Sequence, residues 1–208
     1  DDGAGSGVAA SSYGIDGGTL RTYVGMFKLL TEGRHTVDCK SVDFLGNEEG
    51  LKRGVFIVDE TAPASAISIE DPKVDQGAGM PVLIGPKTPL SITTADGGVD
   101  PSGAGRIEYS VGNSFMQTYT GPFTLGSALP SGIYAINYRS VDNVGNEEPV
   151  KTVMVQLKQP IVQITSPAGG NKAWQYVSGK VKIMGTVSDM DLDYFRVEYG
   201  VGENPAGY

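Results

Sequence analysis

Apolar and polar positions alternate along much of this chain. In Tyr134–Asp142, residues Tyr134, Ile136, Tyr138 and Ser140 share one face and Asn137 and Arg139 the other. An earlier segment repeats the arrangement, with His35, Val37, Cys39 and Ser41 facing inward and Asp38 and Lys40 outward. A period of two marks half-buried antiparallel strands. The same pattern predicts strands at Ala66–Glu70, Leu90–Ala95, Arg106–Val111, Tyr119–Leu125 and Val150–Leu157, and then Ile161–Ser166, Lys180–Val187 and Tyr194–Val201. Turn residues punctuate the gaps: Asp71-Pro72, Gly85-Pro86, Asp96-Gly97-Gly98, Gly121-Pro122 and Gly145-Asn146. No stretch longer than about ten residues carries a helical period. The predicted class is all-β, built as sandwiches.

The pattern also repeats at long range. Gly33–Glu49 aligns without gaps on Gly132–Glu148, 99 residues on, with eight of 17 positions identical. Upstream, Ser6–Leu29 aligns on Ser102–Leu125, 96 residues on, matching Tyr13 with Tyr109, Tyr23 with Tyr119 and Phe27 with Phe123. The three-residue difference falls in the loop between the two blocks, where insertions are tolerated. With 208 residues and roughly 100 per sandwich, the chain is read as tandem immunoglobulin-like antiparallel β-sandwiches. The predicted divisions are 1–58, a module lacking its first strands; 59–158, a complete module; and 159–208, the start of a third module of another type. The first lacks the roughly 37 residues equivalent to 59–95. The chain is therefore expected to be a window on a longer polypeptide, or to have its incomplete modules completed by neighbouring copies. The linkers Asp59–Pro63 and Lys158–Pro160 are short and each ends in proline. Such joints imply a semi-rigid rod.

Composition narrows the partners. A net charge of −8 argues against nucleic acid and against an anionic membrane surface. No apolar stretch approaches the roughly 20 residues of a membrane-spanning helix, so no membrane insertion is expected. Thirty glycines and 12 prolines make the chain turn-rich without making it low-complexity. Cys39, the sole cysteine, allows no internal disulfide.

The repeated residues carry a resemblance. The run from Gly132 to Glu148 followed by Lys151-Thr152-Val153, the upstream Tyr119-Thr120-Gly121-Pro122-Phe123 and the linker Asp59-Glu60-Thr61-Ala62-Pro63 resemble bacterial immunoglobulin-like repeats of large cell-surface and secreted proteins. The leptospiral outer-membrane-associated type is the named example nearest the pattern. The first copy departs from it at Met26, where the pattern has proline, and at Cys39, where it has tyrosine. From Pro160 onward the chain resembles a second type of bacterial immunoglobulin-like repeat. The resemblance implies an extracellular or cell-surface structural or adhesive role and brings no catalytic residues with it. Its partners would be other modules of the same chain, neighbouring copies, or a surface or matrix ligand. The rival readings are a carbohydrate- or protein-binding module and the non-catalytic repeat tail of a secreted hydrolase.

Candidate chemistry is sparse, and the expectation is that the chain is not an enzyme. His35, the only histidine, stands where the second copy has Tyr134, which points to packing. Cys39 matches Tyr138 and reads as a small core residue. Gly3–Gly7 imitates a phosphate loop, but no helix pattern follows it. Asp43, Gly46, Asn47 and Glu48, with their counterparts Asp142, Gly145, Asn146 and Glu147, could offer oxygens to structural calcium. The favoured reading is a turn in which Asp and Asn accept local hydrogen bonds, so no cofactor is assigned. Asp189, Asp191 and Asp193 fail the EF-hand spacing, with Tyr194 and Gly200 where Gly and Glu belong. Trp174 and Tyr176 could stack on a sugar, against the plainer reading of Trp174 as part of a core.

Overall fold

The computed structural model describes residues 5–166, 179–189 and 194–197, all of them strand, turn or coil. Strands β1 (Val8–Ile15), β2 (Arg21–Thr22), β3 (Gly33–Asp43) and β4 (Lys52–Val58) form one antiparallel sheet in the order β2-β1-β3-β4. The next unit opens with β5 (Ala64–Ile69), β6 (Lys73–Val74), β7 (Val82–Ile84) and β8 (Leu90–Ala95). It continues with β9 (Ala104–Val111), β10 (Gln117–Thr118), β11 (Gly132–Asp142) and β12 (Lys151–Leu157). Here β5 pairs with β8 in one sheet, and the other runs β10-β9-β11-β12-β7-β6. Last come β13 (Ile161–Ser166) and β14 (Met184–Ser188), paired antiparallel. The chain is all-β and its sandwich is immunoglobulin-like.

The duplication holds to the residue. β1 and β2 match β9 and β10 at the 96-residue offset, and β3 and β4 match β11 and β12 at 99. Both copies also skip one residue of register at the same place, opposite the end of the long strand: Ala9 in the first and Gly105 in the second. Tyr13 stacks on Phe27 at 4.1 Å with Tyr23 edge-on at 6.1 Å; Tyr109, Phe123 and Tyr119 repeat this at 4.3 and 6.0 Å. Aromatic pairs favour these offset and edge geometries.

The core lies between the two layers of the second unit: Ile69, Ile84, Leu90, Leu125, Ile136, Val155 and Leu157 are buried together. Ile136 and Tyr138 face inward as the alternation predicts. The layers are stitched where Leu90 and Phe123 exchange backbone hydrogen bonds at 2.8 and 3.0 Å, and where the Ile92 N–H donates to the Tyr119 hydroxyl at 3.0 Å.

Several expectations need correction. Tyr119–Leu125 does not form the predicted strand: the strand pairing lies just before it, at Gln117–Thr118, and Phe123 makes an isolated bridge. Gly121 at φ +155° and Pro122, which lacks an N–H, break the ladder. The predicted strand at Lys180–Val187 starts later, at Met184. β7 runs parallel to β12, a pairing the antiparallel reading did not include; the long connection between them permits it. Cys39 is exposed rather than a core residue, while Asp38, assigned to the outer face, is buried under Arg53 (Nε–Oδ1 2.6 Å). Tyr138 at the position of Cys39 is covered by the opposing layer, and β3 has no such layer among the described residues.

Candidate functional site

Among the groups singled out from sequence, His35 sits 8% exposed at the start of β3. Its Nδ1 is 2.8 Å from Asp16 Oδ2, and its Nε2 is 2.7 Å from the Thr31 carbonyl. Both partners are acceptors, so both ring nitrogens act as donors and the imidazolium is favoured. The hydrogen bond with Asp16, then that with Thr31, raises the His35 pKa. An imidazole with both nitrogens engaged in this way has no lone pair to offer a nucleophile. The glycine run ends in Gly7 at φ +87° and leads directly into β1, as a turn does. Trp174, Tyr176, Asp191, Asp193, Gly200 and the predicted strand beyond Val197 lie outside the described residues, and Asp189 is seen without the other two carboxylates of its triplet.

The two Asp-x-x-Gly-Asn turns close on themselves. Asp43 Oδ1 accepts the N–H groups of Leu45 and Asn47 at 2.9 and 2.8 Å, and Oδ2 accepts Asn47 Nδ2 at 2.8 Å. Asp142 Oδ1 accepts from Val144, Gly145 and Asn146, and Oδ2 from Asn146 Nδ2 at 2.7 Å. Gly46 and Gly145 take φ values of +87° and +104°, which suit glycine. The Asn47 side chain and N–H hold the Asp43 carboxyl down at about 2. For Asp142, burial pushes the pKa up, but the bonds from Asn146, Gly145 and Val144 outweigh it and leave the carboxyl below its usual range. Glu48 and Glu147 turn away to pair with Lys40 and Arg139, so the four side chains of each motif do not converge on one point.

What they build instead is a joint. In the second copy Asn146 Nδ2 also donates to the Asp59 carbonyl at 3.0 Å, tying the linker to the β11–β12 turn. Asp59 Oδ2 accepts the Ser102 N–H at 2.7 Å and its Oδ1 the Thr61 N–H at 3.1 Å. Asp96, just past β8, holds the Gly103 N–H at 2.7 Å. From the first unit, Glu32 accepts from the Thr61 hydroxyl at 2.8 Å and from the Val99 N–H at 3.3 Å, and Arg34 lies 3.6 Å from Asp100. Gly98, at φ +93°, admits this approach: a Cβ there would stand 2.2 Å from Glu32 Oε1 and 2.9 Å from Thr61 Oγ1. Asp59, Asp96 and Asp142 each place a carboxylate oxygen within 4.8 Å of the other two.

Glu148 is the structural residue that pattern reading passed over. It is buried between the layers and accepts from the Ser140 N–H and hydroxyl at 2.8 Å each, from the Ser65 N–H at 3.1 Å, from the Ser65 hydroxyl, and from Lys151 Nζ at 2.7 Å. Burial pushes its pKa up, yet Lys151, Ser65 and Ser140 together hold it down at about 2. Its counterpart Glu49 pairs with Lys52 at 2.6 Å and, among the described residues, has no strand like β5 to latch. The available signal was the second glutamate of Asn-Glu-Glu, identical in both copies.

No protein-family model matches the chain, and no curated protein does. Among solved structures, it is similar to fibronectin(III)-like modules of CbhA from Clostridium thermocellum, at 12% identity and a TM-score of 0.37, over 74% of this chain and 80% of that one. The fold assignment rests on the sheets, register and core described above, and on those alone.

Proposed function

We propose that this chain is a stretch of an extracellular structural or adhesive protein in which tandem sandwiches act as a semi-rigid spacer. The observation that carries the reading is the joint. Glu32 and Arg34 from the first unit meet Thr61, Val99 and Asp100 of the second, and Asp59 in the linker is tied by Ser102 and Asn146. A linker bonded on both sides restricts the angle between its neighbours, whereas a flexible tether would leave it solvated. The motif resemblance to bacterial surface repeats of the leptospiral outer-membrane-associated type supports the extracellular placement, and the acidic surface suits it.

Cys39 is exposed and single, so it takes a spin label directly. A second label at exposed Thr118, introduced as Thr118→Cys, spans the joint. The expected pulsed-dipolar distance distribution is narrow, and Glu32→Ala broadens it. A broad distribution in the otherwise unaltered chain would remove the spacer reading.

A further inference from the structure

The carboxylates of Asp59, Asp96 and Asp142 come from three separate pieces of chain: the linker, the loop after β8 and the turn after β11. Each has an oxygen within 4.8 Å of the other two, and no ion pair to lysine, arginine or histidine is made by any of the three among the described residues. Three like charges so close repel one another unless something neutralises them. A second observation shows what is missing. Asp96 Oδ1 is fully enclosed and has no hydrogen-bond partner, and the Ser102 hydroxyl, also enclosed, leans on the Asp59 carboxylate. Ser102 belongs to the same cluster, since its N–H donates to Asp59 Oδ2. Buried oxygens without donors are costly and uncommon, and one of them within a group of three carboxylates calls for a cation.

We propose that Asp59, Asp96 and Asp142, with the Ser102 hydroxyl, form a calcium site at the joint between the first and second units. The donor set is oxygen alone, which selects a hard cation over zinc or copper. Calcium bonds oxygen at roughly 2.3–2.6 Å, so opposed ligands stand about 4.6–5.2 Å apart, and water completes its six to eight positions. Magnesium, at about 2.0–2.1 Å, demands a tighter and more regular octahedron than three chain segments spread over this distance supply. The outer hydrogen bonds are already in place: Val144, Gly145 and Asn146 orient Asp142, Thr61 and Ser102 orient Asp59, and Gly103 orients Asp96. Such supports fix metal ligands in advance of binding. The site is particular to this joint, because the position matching Asp59 at the next one is Lys158. It is also a different set from the four residues of one turn, contributing only Asp142 from that motif.

The inference stands apart from the spacer reading, since a cation could bind here whatever the chain does. The test is calorimetric titration of the chelator-treated chain with calcium chloride, with thermal melts in parallel. One calcium per chain is expected, with a dissociation constant on the order of 0.1–1 mM, the range of extracellular modules, and a melting temperature that rises with calcium. Asp96→Asn should abolish binding and the thermal response. Its amide oxygen can keep the Gly103 bond while its NH₂ faces the remaining carboxylates, so its melt should match or exceed that of the chelated chain. Asp59→Asn gives an independent loss of binding should the first variant fold poorly. No heat and no thermal shift at about 10 mM calcium, well above that range, would overturn the proposal. So would full binding by Asp96→Asn, or magnesium binding as tightly as calcium.

Discussion

The two copies of the repeat present the same four strands in the same order, yet among the described residues only the second is closed into a sandwich. The β2-β1-β3-β4 sheet reproduces β10-β9-β11-β12 down to its register shift and its aromatic trio. Burial is what differs. Phe56 on β4 is 51% exposed, whereas Val155 at the matching position of β12 is fully buried. β12 gains β7 as a parallel neighbour and the β5–β8 pair as a covering layer; β4 has neither among the described residues. Strand pairing and the aromatic stack are thus encoded within the repeated segment, while the layer that closes the core, with Ile69, Ile84 and Leu90, is supplied by the chain that precedes it in the second copy.

The largest contrast is expected from core truncation. Ile136→Ala should cost about 2–5 kcal/mol, as buried large-to-small changes do, and the matching Val37→Ala, at a half-buried position, much less. Paired denaturation curves of the two variants read the difference directly. Equal losses would mean that the first sheet is covered after all.

Next in size is the glutamate latch. Glu148→Ala leaves the N–H groups of Ser65 and Ser140 without their acceptor inside the sandwich, at a cost of about 1–3 kcal/mol. Glu49→Ala should scarcely move the denaturation midpoint. The same carboxylate makes the second unit acid-sensitive. Its folded pKa of about 2 lies below the ordinary value of 4.5, so its contribution is complete above 4.5 and is lost as the pH falls from there towards 2. Glu148→Gln should flatten that part of the stability–pH profile.

The smallest effect belongs to His35 in the first unit. Its pKa is raised in the fold, so its contribution is complete below the ordinary value of 6.5 and is lost as the pH climbs through the raised one. His35 is the only histidine, so its ring signals in an NMR titration report this without overlap. Asp16→Asn should bring the midpoint back down, since the Asp16 hydrogen bond is the main cause of the rise.

Much of the fold was legible from residues. Alternation located β3, β8, β11, β12 and β13, and the shift from a 96- to a 99-residue offset placed the loop between the matched strand pairs. β7 was not legible, because Val82–Ile84 is too short to show a period and lies between Pro81 and Pro86. Cys39 misled because its exposure depends on a covering layer rather than on its own strand. The acidic joint was half legible. Asp142 was marked by its turn motif, but Asp59 and Asp96 lie 83 and 46 residues upstream of it with no spacing rule to connect them. Only the docking of linker, loop and turn brings the three together.

Hydrogen exchange of the whole chain, resolved strand by strand, tests the central contrast most directly. Amides that bond only within a single uncovered sheet open more readily than those beneath a second layer. The expected result is strong protection in β9, β11 and β12 and markedly faster exchange at the matching amides of β1, β3 and β4. Matching protection in the two sets would contradict the account, because the same strands would then be equally stable with and without the covering layer.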